Sequence, residues 1–210
     1  MNGTSSSKNL NLGLIGAGPW GHNYIRTIDG LDGITLACLA SRNPESARFV
    51  GPGCEIHQDW REMIKTNDLN GIIIATPPAL HAEMTLTAVD RGLPVLVEKP
   101  LTLHLEEADE LITLAQEKGL VVGVDMHKRY DPCHRFIFEE LAGKIGKPLY
   151  ARAVLEEPLE VSTETFKWAQ DSNPFSYVGI HWLDLFAHYL GADPVSVHAV
   201  GQKQLLANWD

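Results

Sequence analysis

No basic stripe runs through this chain. Its 17 Lys and Arg stand against 27 Asp and Glu, a formal charge of -10, and cations nowhere interleave with aromatics. No nucleic acid is therefore expected as a partner. Long hydrophobic runs are missing too: stretches such as GIIIA fall far short of a membrane span, and the polar opening MNGTSSSKNLN lacks the apolar core of a secretory signal. The expectation is a cytoplasmic protein, bound to no membrane, with a loose tail before about Leu10. Cysteine is scarce as well. Cys38, Cys54 and Cys133 are odd in number and scattered without Cys-x-x-Cys spacing, which predicts reduced thiols and no metal site. The sequence has no internal repeat or low-complexity stretch.

What is present is a well-filled α/β pattern. With 44% hydrophobic and 21% charged residues, the chain has enough apolar surface for a core. Short apolar, β-rich runs alternate with amphipathic segments, as in a parallel sheet with crossover helices. LNLGLIG, ITLACLA, GIIIAT, PVLVEK and LVVGVDM read as strands. Between them, residues 20–29, residues 44–50 with Asn43 as N-cap, DWREMIKT, LHAEMTLTAVDRG and LHLEEADELITLAQEKG read as helices. The last has a predicted apolar face of Leu103, Ala108, Leu111, Ile112 and Ala115, with Gly119 at its end.

Past about Asp125 the texture changes, so the domains are predicted as 1–125 and 126–210. The second holds a helix over 132–142, the alternating strands PLYARAVLE and VSVHAVGQ, and a helix around 178–190. Two strands and two helices make a small unit, and the expectation is an incomplete α+β domain.

LGLIGAGPWG carries the first strand into the turn Gly16-Ala17-Gly18-Pro19-Trp20-Gly21. In a βαβ unit the first glycine permits a tight turn, the second lets backbone approach a pyrophosphate, and the third lets helix and strand pack. The phosphate then sits on the helix N-terminus. Strand and helix flank this turn correctly, so it is assigned to a dinucleotide. About 20 residues on, where a carboxylate would bond the adenosine ribose, stand Ser41 and Arg42 with no acid. A hydroxyl beside a guanidinium suits a 2'-phosphate, which favours NADP over NAD.

Glu98-Lys99-Pro100 follows a buried strand, and RYDP, GKP and GIHWLD come after it in order. Together with the glycine turn, these motifs resemble the glucose-fructose oxidoreductase and inositol dehydrogenase family, Gfo/Idh/MocA, from Leu10 to about Gln202. The resemblance implies a Rossmann domain followed by a substrate domain with a large open sheet. It also implies hydride transfer between a nicotinamide and a sugar, polyol or related carbonyl compound, in a homo-oligomer. Two alternatives are a nucleotide-binding regulator without turnover and redox-neutral glycoside cleavage. The chain is expected to be a fragment or short form.

The expected roles follow. Lys99 polarises a substrate oxygen and touches the nicotinamide ribose, beside Glu98. Thr76, Pro77 and His81 form the loop and helix start beside the cofactor, with His81 bonded to backbone. In GIHWLD the resemblance makes His181 the general acid or base, with Asp184 on the same helix face as its orienting or substrate-binding neighbour. Many relatives have an aspartate four residues before this histidine, where Tyr177 stands here; a phenol with a pKa of about 10 brings no charge at neutral pH. Arg129 is open between an acidic substrate group, a cofactor phosphate and a salt bridge with Asp131 or Glu106. Trp168 and Phe175 are open between a sugar face and ordinary packing.

Overall fold

Apolar residues at every position, rather than at alternate ones, mark strands at the middle of a sheet covered on both faces. In the computed structural model, which describes residues 9–66, 68–146, 149–166, 168, 173, 175–191 and 193–201, that description fits the centre of a six-stranded sheet. The strands are β1 (Leu10–Ile15), β2 (Ile34–Ala40), β3 (Glu55–His57), β4 (Gly71–Ile74), β5 (Val95–Val97) and β6 (Val122–Val124). Their order is β3-β2-β1-β4-β5-β6, with every pair parallel. β4 is buried along its whole length.

Four helices connect the strands: α1 (Gly21–Asp29), α2 (Trp60–Thr66), α3 (His81–Asp90) and α4 (Leu105–Lys118). They cover both faces. Ile72 and Ile74 join Met63, Met84, Val89 and Leu111 in one apolar layer, under α2, α3 and α4. Ile73 points the other way and packs with Leu14, Leu39, Ile25 and Ile28 under α1. The alternation of side chains across a strand thus builds two cores from one run of isoleucines.

The register sets the functional edge. Ile15 lies beside Ala40 and Ile74, Ile74 beside Val97, and Val97 beside Val124. The next residues, Gly16, Ser41, Ala75, Glu98 and Asp125, therefore leave the sheet on one level. The chain steps from β1 to both sides, so the carboxyl ends of β1 and β4 flank the crevice where open α/β sheets bind ligands.

After β6 the chain is helical. A 3-10 turn at His127–Tyr130 leads to α5 (Pro132–Arg135), capped by Asp131, whose Oδ1 accepts from the Cys133 and His134 amides at 2.8 and 3.2 Å. A π-type turn at Phe136–Leu141, α6 (Ala142–Ile145) and π-type turns at Val161–Thr165 and Phe175–Gly179 precede α7 (Ile180–Leu190).

Several expectations need correction. Residues 149–156 and 195–201 form no ladder with any strand among the described residues. Alternating side chains suit a strand, but a strand exists only where its N–H and C=O groups find a neighbour. Residues 44–49 wind as a 3-10 helix, although Asn43 does cap it, accepting from the Glu45 amide at 3.1 Å. Leu103, expected on the apolar face of the helix, lies before α4 and is about half exposed, as is Ile112 on it, while Leu111 and Ala115 are buried and Leu114 packs on the core. The helix is turned toward Leu114, away from Ile112. The tail before Asn9, Lys147 and Pro148 of the GKP motif, and Gln202 lie outside the described residues.

Candidate functional site

A cavity of about 1100 Å³ opens over the carboxyl ends of β1 and β4. The glycine turn forms its floor. Gly16 has φ +103°, and a Cβ there would sit 2.5 Å from the Ala75 carbonyl oxygen. At Gly21 a Cβ would run into the Gly16 carbonyl, so β1 and α1 meet as closely as they do only because both lack side chains. Gly18 differs: a Cβ there would meet nothing within 4 Å. The space above it is open, which is the cradle that a pyrophosphate against bare backbone requires. α1 is preceded by Trp20 with no side-chain cap and has no acid in its first turn; the His22 and Asn23 amides bond the Gly18 and Trp20 carbonyls at 3.1 and 2.9 Å, so the positive end of the helix faces the cavity without a competing carboxylate.

At the rim, the Ser41 hydroxyl lies 2.8 Å from Ser46 Oγ and accepts from the Asn43 amide at 3.2 Å. Arg42 is exposed and makes no side-chain hydrogen bond or ion pair among the described residues. The hydroxyl is committed to its own turn; the guanidinium is free.

The opposite wall brings Lys99 against α7 and the turn before it. Lys99 Nζ donates to the Tyr177 carbonyl oxygen at 2.7 Å and lies 4.6 Å above the Tyr177 ring. Burial holds its ammonium below the ordinary lysine range, against the pull of Glu98, Glu157 and Asp125. His181 is 3% exposed, and its Nδ1 is buried without a hydrogen-bond partner among the described residues. Burial, then the nearby Lys99 and His127, push its imidazole down to about 4. It is neutral at pH 7. Burial and Glu157 push the Tyr177 phenol up to about 12, so it remains a hydrogen-bond donor.

Behind Lys99 sits a second group of acids. The Tyr24 hydroxyl, from α1, is 2.8 Å from Glu98 Oε1 and 2.6 Å from Asp125 Oδ2. Glu98 is 7% exposed, and its Oε2 accepts from the Lys99 amide at 3.3 Å.

Of the residues expected at the site, Gly16, Ala17, Gly18, Pro19, Trp20, Ser41, Arg42, Thr76, Pro77, Glu98, Lys99, Trp168, Tyr177 and His181 line this one cavity. Gly21 supports the turn from outside the lining. His81 is fully buried, with Nδ1 2.7 Å from the Pro100 carbonyl oxygen and Nε2 2.9 Å from that of Thr76. It ties the loops after β4 and β5 together and does not reach the cavity. Arg129 and Asp184 also lie outside the lining: Arg129 Nε donates to Asp184 Oδ2 at 2.7 Å, and its Nη2 donates to the other oxygen. The guanidinium is thus held by α7 rather than by Asp131 or Glu106. Phe175 is exposed and outside the lining.

Sequence reasoning missed His127, Lys128, Glu157 and Phe166, all of which line the cavity. His127 and Lys128 adjoin Arg129 and were overshadowed by it. Glu157 lies just past the stretch with strand periodicity, yet its carboxylate acts on both Lys99 and Tyr177. Phe166, Trp168 and Tyr177 form an aromatic trio with ring centroids 5.3 to 6.0 Å apart.

Two family descriptions match the chain: an oxidoreductase family with an NAD-binding Rossmann fold over residues 10–126, and a GFO/IDH/MocA C-terminal domain over residues 141–207. A scyllo-inositol 2-dehydrogenase (NAD(+)) of Bacillus subtilis is 29% identical over 195 residues, covering 90% of this chain and 56% of that protein. A 1,5-anhydro-D-fructose reductase of Ensifer adhaerens is 34% identical over 145 residues, 67% of this chain and 43% of that protein. Among solved structures, myo-inositol 2-dehydrogenase from Lactobacillus plantarum superimposes with a TM-score of 0.82 at 27% identity, covering 90% of this chain and 58% of that one. The chain spans about half the length of the curated relatives it matches.

Proposed function

Since the chain belongs to the Gfo/Idh/MocA oxidoreductase family, with its NAD-binding Rossmann fold, we propose that it builds the cofactor side and part of the substrate side of a nicotinamide-dependent oxidoreductase for sugars, polyols or related carbonyl compounds. One observation carries this reading: Lys99 and His181 face the same cavity as the glycine turn. When bound, the nicotinamide supplies or accepts the hydride. Gly16, Gly18 and the start of α1 would hold the pyrophosphate of the dinucleotide, with Thr76 and Pro77 lining the same cavity.

Lys99 has three N–H donors. One is committed to the Tyr177 carbonyl, and the others are free to polarise the substrate oxygen. The neutral imidazole of His181 accepts the hydroxyl proton during oxidation and returns it during reduction. Tyr177 donates to a second substrate hydroxyl, and Glu157 supplies the negative charge that Tyr177 does not. Trp168 and Phe166 cover the substrate's apolar face. The proposal places residues 1–125 on the cofactor side and 126–210 on the substrate side. It prefers NADP, because the unpaired Arg42 stands where a 2'-phosphate would lie. It also includes assembly of several copies, supported by exposed Leu149, Tyr150, Val195 and Val197.

Kinetics on a screen of polyols and sugars tests the reading. Lys99→Ala and His181→Ala should each cut turnover by about a hundredfold or more, with cofactor affinity nearly unchanged. In the same titrations Arg42→Ala should narrow the advantage of NADPH over NADH by about tenfold. Ordinary turnover in His181→Ala removes the proton-transfer role, and equal affinities for the two cofactors remove the NADP preference.

A further inference from the structure

The register that aligns Val97 with Val124 delivers Glu98 and Asp125 side by side, and α1 lays Tyr24 across them. The phenol oxygen lies 2.8 Å from Glu98 Oε1 and 2.6 Å from Asp125 Oδ2. A phenol has one proton and donates to one acceptor. With both carboxyls ionised, one carboxylate oxygen would face the phenol oxygen lone pair to lone pair, at a place where Glu98 is 7% exposed. That arrangement costs an unmade hydrogen bond and adds like-charge repulsion.

One more proton satisfies every atom. Glu98 Oε2 already accepts the Lys99 amide N–H, so the extra proton belongs on Oε1, donated to the phenol oxygen. The phenol then donates its own proton to Asp125 Oδ2, and an oxygen–oxygen separation of 2.6 Å is that of a hydrogen bond from a hydroxyl to an ionised oxygen. Asp125 is suited to the charge: its side chain is 19% exposed and Oδ2 lies 3.9 Å from His127 Nδ1.

We infer that Tyr24, Glu98 and Asp125 form a one-way proton-sharing chain, Glu98 to Tyr24 and Tyr24 to Asp125, which positions the Lys99 backbone and leaves a single negative charge behind the lysine on the acid side of neutrality. Tyr24 and Asp125 are positioning residues that act through Glu98. The groups facing the chain are Lys99 after β5, His127 after β6 and His181 on α7, while Lys128 and Glu157 act on Lys99. Burial and the Asp125 charge together push the Glu98 carboxyl up to about 7, in agreement with the proton count. A second negative charge would draw the ammonium back from the cavity; a single one leaves it on the Tyr177 carbonyl. The proton is held whether or not the site turns over a substrate, so this inference goes beyond the proposed reaction.

Infrared difference spectroscopy across a pH titration of the full chain tests it. The unmodified protein should show the C=O stretch of a buried, protonated carboxyl at about pH 6, fading around pH 7. Glu98→Gln, whose amide can donate to Tyr24 and accept from the Lys99 N–H, should fold normally and lack the band. Asp125→Asn removes the like charge and should lower the titration midpoint by about one unit or more. A missing band in the unmodified protein, a band that survives Glu98→Gln, or an unmoved midpoint in Asp125→Asn overturns the chain. The Glu98→Gln comparison decides the matter by itself if Asp125→Asn fails to fold.

Discussion

Gly16, Ser41, Thr76 and Glu98 follow the ends of parallel strands, whereas Glu157, Phe166 and Trp168 reach the same cavity from segments that pair with no strand among the described residues. Burial follows the same division. Among the described residues, every fully buried hydrophobic except Leu185 lies at or before Ala115. The cofactor wall is therefore fixed by a shared core, and its residues keep their spacing because moving one strand moves them all. The far wall is held by a few polar ties: Lys99 to the Tyr177 carbonyl, Arg129 to Asp184, and the Tyr189 hydroxyl to the Arg129 carbonyl at 2.8 Å. One side of the site rests on hydrophobic burial and the other on directional bonds, so the two should fail differently.

The largest effect should come from the core. Leu14 is fully buried beneath α1, and Leu14→Ala should cost about 2–5 kcal/mol in urea unfolding, with loss of cofactor binding at the same denaturant concentration. A loss below about 1 kcal/mol would break the comparison, since it would mean that the sheet is no firmer than the far wall. Arg129→Ala should cost less, about 1–2 kcal/mol, because the pair is partly exposed. Neither partner lines the cavity, so NADPH affinity measured by fluorescence should stay within about twofold. A collapse of affinity would show that the ties support the cofactor wall as well.

The smallest change expected in the unmodified protein is in its pH–stability curve, because two terms oppose each other there. Glu98 is raised in the folded state from 4.5 to about 7, so the fold binds its proton more tightly than the unfolded chain does, and this term weakens stability as pH rises through that window. His181 is lowered from 6.5 to about 4. The unfolded chain then binds the extra proton, and stability is lost as pH falls through 6.5 toward 4. Thermal midpoints of Glu98→Gln and His181→Gln should therefore tilt in opposite directions between about pH 4.5 and 6.5, rising with pH in the first and falling in the second. Tilts of the same sign would show that one of the two groups is not held as described.

The two walls also differed in how far they could be read from sequence. The sheet was legible because burial on both faces leaves runs such as GIIIA, and tight strand-to-helix passage leaves glycines at 16, 18 and 21. Lys99 and His181 were legible through the motifs around them. Their neighbours were not. Glu157 carries no local signal, since its role depends on a fold-back that brings residue 157 to residue 99. Tyr24 lies within the helix read over 20–29, and Asp125 falls in the strand read as LVVGVDM, at the predicted domain boundary; nothing local joins them, and only the strand register places them together. Arg129 was correctly seen as a charge in need of a partner, but Asp184, 55 residues away, could not be chosen over nearer acids without the three-dimensional path. PLYARAVLE misled because periodicity reports which face a residue prefers and says nothing of whether a neighbouring strand exists.

The bond from Lys99 Nζ ends on a main-chain oxygen of residue 177, not on its side chain. Every amino acid offers that oxygen, so this bond is indifferent to which residue occupies the position, whereas the contact of the ammonium with the ring 4.6 Å away is not. Substitution at 177 then alters what the cavity presents to a guest while that one bond remains. The position is one where single substitutions can reshape the cavity with the bond from the lysine to the main chain intact.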